Sequence, residues 1–569
     1  MLYRNLVEFY EKAGSTTKRL EKVDLLSKFL KNLDEKDKDV LYLLMGNIYP
    51  DYDERKIGIS DKLAIKAISK VSGRDEKDII QEWKKIGDLG EVTEHLLISK
   101  KQSTLNRDSL TTERVLETLR KLPEIQGKGA IEKKIFLIVE LLSLASPLEA
   151  KYLIRTIIGD LRIGLKESTI RDALASTFFV SDKESKEIIQ SALDKSNDLA
   201  YVFEISKMGK LNEFKRVEIK PGRPIKVMLA QKVRTISEAF KSVGKPCAIE
   251  YKYDGFRMII HKDKDVITLF TRRLEDVTKQ FPEVVEYVKK YVKGESFILD
   301  SEAIGFNKMT KEYRPFQEIS QRIKRKYEIE KLQEELPVEI NVFDILYYNG
   351  KSLIDEPFRK RAELVRKIIS THPYKITPSK QIITSDEKEA KEFYKKAIKD
   401  HQEGIMFKNL NAGYQPGSRV GHMLKLKQEE RDLDLVITGG EYGTGKRKGW
   451  LSSFILSCID KNGKFLEVGK VGTGIKEKGE SGISFEELTE KLRPYIIEEE
   501  GRSIKIKPKI VVSVTYQEIQ RSPKYNSGFA LRFPRFTAIR PDKNPEDINS
   551  LDDIIKNFEA QKSKKIKVY

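Results

Sequence analysis

The apolar residues of this chain change their spacing at one place, and that change limits the folds open to it. Up to about residue 215 they recur at helical intervals, as in RNLVEFYEKA, VDLLSKFLKNL, DKLAIKAISKV and the run 130–145. In KRVEIKPGRPIKVMLAQ (215–231), Pro221, Gly222 and Pro224 break helix and mark a linker. Between residues 247 and 427 short β-rich runs alternate with helices, an α+β or α/β pattern. Beyond Arg431 short strands with glycine-rich turns dominate (LDLVITGGEYG, WLSSFILSCID, FLEVGKVGTG, IVVSVTYQEI, RFTAIR), as in a small barrel of the OB type. A chain of 569 residues is too long for one core. The spacing therefore predicts a multidomain protein: an all-α part over 1–215, an α+β part over 216–430 and a β-barrel over 431–569.

Charge narrows the partners. A formal net charge of +19, with 23 Tyr and 25 Phe, suits a polyanion, most simply nucleic acid. Abundant Lys and Glu also mark surfaces tuned for heat or solubility, so charge alone leaves both readings open. The longest apolar candidate, IFLIVELLSLA, is shorter than the ~20 residues a membrane span needs and carries Glu140, so it reads as a core helix. The N-terminus lacks the pattern of a secretory signal. A cytoplasmic monomer is expected. Cys247 and Cys458 are too few for a zinc site or a disulfide framework, and the histidines show no metal-ligand spacing. Any metal is then a hard cation on carboxylates and phosphate oxygens.

The chemistry concentrates in AIEYKYDGFRMIIHK. Side chains alternate along a strand, so Ile249, Tyr251 and Tyr253 share one face and Glu250, Lys252 and Asp254 the other, at intervals of about 7 Å. Facing solvent, this is an ordinary amphipathic strand. Facing a pocket, burial and neighbouring cations lower the pKa of Lys252 and leave a neutral, nucleophilic amine. MLKLK alternates likewise, placing Lys425 and Lys427 side by side, where they suit a triphosphate. Glu302 and Glu403 sit in apolar, strand-like runs, where a carboxylate wants a cation or a donor. Taken singly, each glutamate also reads as a surface charge or a structural ion pair, and Phe343 in VFDILYY as a core aromatic.

Lys252-Tyr253-Asp254-Gly255 matches K-x-D-G, the acceptor motif of covalent nucleotidyltransferases, and the superfamily's other motifs follow in order. From IIGDLRIGLKESTIRDALA to RFPRFTAIRPDK the chain resembles ATP-dependent DNA ligases of the archaeal and eukaryotic type. The resemblance implies a helical DNA-binding domain, an adenylation domain and an OB-fold domain. It also implies that Lys252 takes AMP from ATP as a phosphoramidate, passes it to the 5′-phosphate of a nick, and so lets the 3′-hydroxyl close the strand. By position in the motifs, Glu250 meets the adenine amino group and Phe343 stacks on the base. Arg257, Arg272 and Glu302 contact the nucleotide, while Arg419, Lys425 and Lys427 meet the phosphates. Glu302 and Glu403 hold Mg²⁺ or Mn²⁺, and Arg540 and Lys543 of the R-x-D-K motif orient the pyrophosphate leaving group. Nicked double-stranded DNA is the implied partner, in replication, repair and recombination.

Rivals within the superfamily fit less well. Capping guanylyltransferases lack the large helical domain, NAD-dependent ligases carry a four-cysteine zinc finger, and RNA ligases remain related. From another class, a non-enzymatic DNA-binding protein would share the charge. GGEYGTGKRKGW is nearly a P-loop, but Arg447 stands where Ser or Thr belongs and a strand-like run follows. In KKQSTL, Gln102 and Leu105 fit a sliding-clamp-binding segment without its aromatic pair, and a polar loop is the plainer reading.

Overall fold

A computed structural model describes the chain except for residue 54 and the segments 99–108, 315–318, 320–321, 324–327, 428–430, 445–446, 478–482 and 564–569. The clamp-segment reading at Gln102 and the Gly445-Lys446 pair lie outside the described residues. The chain forms two compact units, residues 1–71 with 101–428 and residues 72–100 with 429–569. No helix among the described residues is long and apolar enough to cross a membrane.

The first unit begins with helices whose ends are written in the sequence. Ser146 and Glu149 cap Pro147–Ile157 reciprocally, and Asp182 caps Lys183–Ser196 by accepting from the Ser185 N–H. The run at 130–145 becomes the helix Ala130–Leu144, with Ile135, Ile138, Leu141 and Leu142 buried at helical spacing. Phe136 on the same helix is 68% exposed, so the helix is amphipathic, not wholly internal as its composition suggests. The proline-rich linker is tied back to the helices: Asn197 donates to the Pro224 carbonyl, Arg223 pairs with Asp198, and Lys226 lies between Glu167 and Asp51.

Two sheets follow. Their strands are β1 (Leu229–Lys232), β2 (Cys247–Lys252), β3 (Phe256–Asp263), β4 (Val266–Thr271), β5 (Ser296–Gly305), β6 (Val338–Tyr348), β7 (Lys351–Ser352), β8 (Ile376–Pro378), β9 (Gln381–Thr384), β10 (Gly404–Asn409) and β11 (Arg419–Lys427). One sheet runs β1-β11-β10-β2-β9; the other runs β4-β3-β5-β6-β7 with β8 beside β6. On the outer face of the first, Ile249, Tyr251, Ile405, Phe407, Leu424 and Leu426 pack against the helices Ile236–Val243 and Glu387–Lys399. The second buries Met258, Ile260, Leu299 and Ile340 against Pro282–Tyr291 and Phe358–Ile368. A further core of Ile259, Phe270, Ile298, Leu346, Met406 and Met423 joins the inner faces of the two sheets. Period-two alternation then forces Glu250, Lys252, Lys408, Lys425 and Lys427 onto the same inner face as Met406 and Met423.

In the second unit the strands are β12 (Arg431–Tyr442), β13 (Leu451–Ile459), β14 (Phe465–Val471), β15 (Ile496–Glu500), β16 (Ser503–Ile506), β17 (Val511–Tyr516), β18 (Glu518–Arg521), β19 (Phe529–Arg532) and β20 (Arg535–Ile539). The long β12 pairs β13 along one edge and, along the other, β17 over Arg431–Val436 and β16 over Gly439–Glu441, so that one edge serves two partners and the sheet curls. Gly439 and Gly440 sit at that changeover, where a Cβ would press on the Ile504 and Ser453 carbonyls at 2.9 and 3.0 Å. The curl encloses one core that includes Leu435, Phe454, Leu456, Val512 and Phe536. The strand β13 follows the near-P-loop where a P-loop needs a helix.

Candidate active site

The floor of the site is a row of residues across three strands. Lys252 on β2 faces Gly404 on β10, and Gly404 faces Lys427 on β11. Gly404 has φ 151°, and a Cβ there would lie 2.1 Å from the Leu426 carbonyl oxygen, so only glycine fits between the two lysine-bearing strands. Glu403, one residue earlier, donates its N–H to the Lys252 carbonyl at 2.9 Å. Its carboxylate then lies between two ammoniums, 2.9 Å from Lys252 Nζ and 2.5 Å from Lys427 Nζ. The β2–β10–β11 pairing thus builds a Lys–Glu–Lys bridge.

The opposing sheet supplies the wall. Glu302 on β5 pairs in register with Arg257 on β3 and with Asn341 on β6. Arg257 is tied on several sides: Nε donates to Asp300 at 2.8 Å, one terminal nitrogen to the Met228 carbonyl at 2.8 Å, and the other to Asp300 and, at 3.3 Å, to the Tyr414 hydroxyl. That hydroxyl itself donates to Asp300 at 2.8 Å. Phe343 is partly exposed while its neighbours Val342 and Asp344 are 1% and 2% exposed. Its ring lies 5.3 Å from the Arg257 guanidinium carbon and 4.6 Å from Lys408 Nζ. The ring therefore lies outside the hydrocarbon core, its electron-rich face towards cations. Glu250 is 2% exposed, paired with Lys408 at 2.7 Å and accepting from Gln381 Nε2 at 2.7 Å.

Electrostatics corrects one expectation. Burial, the largest influence on Lys252, pulls its pKa down, but Glu403, Glu302 and Asp254 outweigh it and the net direction is upward. Lys252 stands here as an ion-paired ammonium, not the depressed amine its strand neighbours suggest. The reason is tertiary: carboxylates from β5 and from the residue before β10 reach it. The lowered amine is Lys425, brought to about 8 by burial and by Lys427, Lys252 and Arg419. Burial lifts Glu302 to about 7 against the pull of Lys252 and Arg257. Glu403 is buried too, yet Lys252 and Lys427 hold it below the usual carboxylate range.

The structure gathers Lys252, Glu302, Glu403, Arg419, Lys425 and Lys427 into one electrostatic cluster, with Glu250, Arg257 and Phe343 beside it through Lys408 and ring contacts. Arg272 lies just past β4, exposed, with no ion pair among the described residues. Arg540 and Lys543 belong to the second unit, where both grip Asp434 on β12, at 3.0 and 2.8 Å. Sequence reasoning missed Lys408, Gln381, Asp300 and Tyr414. Lys408 had a signal, standing in GIMFKN two places beyond Met406 and four beyond Gly404. Gln381 and Tyr414 had none.

Among the described residues no three His, Cys, Asp or Glu side chains gather to hold a metal by themselves. Glu302 and Glu403, two carboxylates around one ammonium, fit a hard divalent cation that completes its shell with phosphate and water.

A lysine flanked by carboxylates, a lysine pair and a partly exposed ring between two sheets fit a nucleotidyltransferase, here following a helical stretch and preceding a strand-rich one. Family models agree along the chain: "DNA ligase N terminus" over residues 2–175, "ATP dependent DNA ligase domain" over 227–427 and "ATP dependent DNA ligase C terminal region" over 447–543. A DNA ligase of Nanoarchaeum equitans is 46% identical over 99% of both chains. One of Thermococcus onnurineus is 40% identical over 100% of this chain and 99% of its own. The solved structure "Pmar-Lig_PreS3" shares the fold, with TM-score 0.59, 18% identity, and 94% of this chain and 99% of that one covered. The chain belongs to the ATP-dependent DNA ligases, and its activity is that of a DNA ligase.

Proposed function

We propose that this ligase seals nicks in duplex DNA through a covalent lysine–AMP intermediate with Lys252 as nucleophile. The observation that carries this is the Lys252–Glu403–Lys427 bridge, at 2.9 and 2.5 Å. Lys252 Nζ attacks the α-phosphorus of ATP, the bond to pyrophosphate breaks, and a phosphoramidate forms. AMP then passes to the 5′-phosphate of the nick, and the 3′-hydroxyl attacks that phosphorus and releases AMP.

The residues divide this work by charge. Lys425, Lys427 and Arg419 meet the phosphates, and Lys425, already short of counter-charge, gains most from them. Glu250 and Phe343 hold the base, Arg257 and Arg272 the sugar and α-phosphate side. Mg²⁺ or Mn²⁺ bound by Glu302 and Glu403 would supply positive charge to the phosphates. With those carboxylates so engaged, only Asp254 of the three would still oppose burial, and the balance at Lys252 would shift towards its neutral form. Arg540 and Lys543 orient the leaving pyrophosphate, which requires them to exchange Asp434 for phosphate oxygens.

The parts 1–215, 216–430 and 431–569 serve as DNA-binding, adenylation and OB-fold domains. We place the enzyme in the cytoplasm as a monomer acting in replication, repair and recombination. Incubation with α-labelled ATP and Mg²⁺ tests the central claim. The wild type gains an acid-labile covalent label; Lys252→Ala gains none yet binds nicked DNA as before. A label on Lys252→Ala moves the nucleophile elsewhere.

A further inference from the structure

Glu250 reads one edge of the base in the proposal above, and its surroundings carry that reading further. We propose that Gln381 on β9 is a positioning residue that, together with Lys408, clamps the Glu250 carboxylate and thereby sets the preference for adenine over guanine nucleotides.

Gln381 pairs in register with Glu250 across β2 and β9. Its Nε2 donates to Glu250 Oε1 at 2.7 Å, while Lys408 Nζ takes Oε2 at 2.7 Å. Each carboxylate oxygen thus has a fixed donor on the protein side, which sets the plane of the group. Lys408 is itself wedged, its Nζ 4.6 Å from the ring centres of both Phe343 and Phe358. One ammonium therefore joins the carboxylate to the ring proposed to stack on the base, so that a purine lying on Phe343 turns an edge towards Glu250.

An ionised carboxylate only accepts hydrogen bonds. Adenine offers it one donor group, the 6-amino group, where guanine carries a carbonyl oxygen. Guanine's way round this is bidentate, its N1–H and 2-amino group meeting both oxygens of a carboxylate free to turn. Each oxygen keeps a free lone pair, so what the two donors fix is the plane: Glu250 can accept the adenine amino group as it stands but cannot turn to meet guanine's N1–H and 2-amino group together. A half-buried amide on an edge strand, in itself an unremarkable residue, so becomes part of base selection.

The test measures ATP and GTP on two readouts, competition for a fluorescent ATP analogue and covalent labelling from each α-labelled nucleotide. Gln381→Met keeps the length but removes the donor; Gln381→Glu puts an acceptor there instead. Both variants are expected to lower the ATP-to-GTP ratio at least about tenfold on either readout, with melting transitions within a few degrees of wild type. A ratio within twofold of wild type in both variants overturns the clamp, as does a wild type that binds the two purines equally. A wild type that binds ATP but takes no label fails the covalent reading, while the binding ratios still decide the clamp.

Discussion

Lys425 offers the sharpest test of the electrostatics, because it sets stability against function in one side chain. Burial first, then Lys427, Lys252 and Arg419, bring its ammonium from the ordinary 10.5 to about 8, with Glu403 as partial compensation. At full value that gap is about 3 kcal/mol against the charged form. The side chain is only half withdrawn from water, and screening reduces the figure to about 1–2 kcal/mol. The folded-state pKa lies below the unfolded one, so the fold favours the neutral amine. The cost is absent above about pH 10.5, grows as pH falls and is complete below about 8. Lys425→Met keeps the apolar stem and removes the charge. Calorimetry should find the first unit's transition stabilised by about 1–2 kcal/mol at pH 7, with the gain shrinking towards pH 10. Lys425→Arg should show no gain, and Lys425→Met should lose self-adenylation by at least about tenfold. A methionine variant no more stable than wild type at pH 7, or a gain independent of pH, refutes the reasoning.

Other expectations follow from single contacts. Glu403→Gln leaves Lys252 and Lys427 without their shared counter-charge and should cost about 3–5 kcal/mol, read by calorimetry; a loss under 1 kcal/mol would show that the bridge carries little. Gly404→Ala, facing the Leu426 carbonyl at 2.1 Å, should destabilise by at least about 3 kcal/mol or prevent folding, whereas Gly463→Ala, with open space around it, should cost about 1 kcal/mol, chiefly from its φ of 77°; urea midpoints separate the two. Lys543→Ala should slow self-adenylation more than sealing of a pre-adenylated nick, and equal losses in the two assays would count against its leaving-group role.

Local patterns were legible far into the site. Alternation in IEYKYDG and MLKLK put Glu250 beside Lys252 and Lys425 beside Lys427 on one face of each strand, and the proline-rich break before Gln231 marked where helices give way to sheets. Alternation depends on backbone geometry alone, so neighbours in sequence are enough to read it. What stood opposite each side chain was not legible. Arg257 was placed at the nucleotide, and the fold spends most of its donors on Asp300, Met228 and Tyr414.

The sequence by itself determined which side chains share a strand face with Lys252 and which motif that lysine belongs to. Only the tertiary structure decided the charge state that lysine prefers, by bringing Glu302 from one sheet and Glu403 from the other to bear on it. Strand periodicity is a property of adjacent residues, whereas Coulomb energy depends on distance in space, and residues far apart in the chain set it.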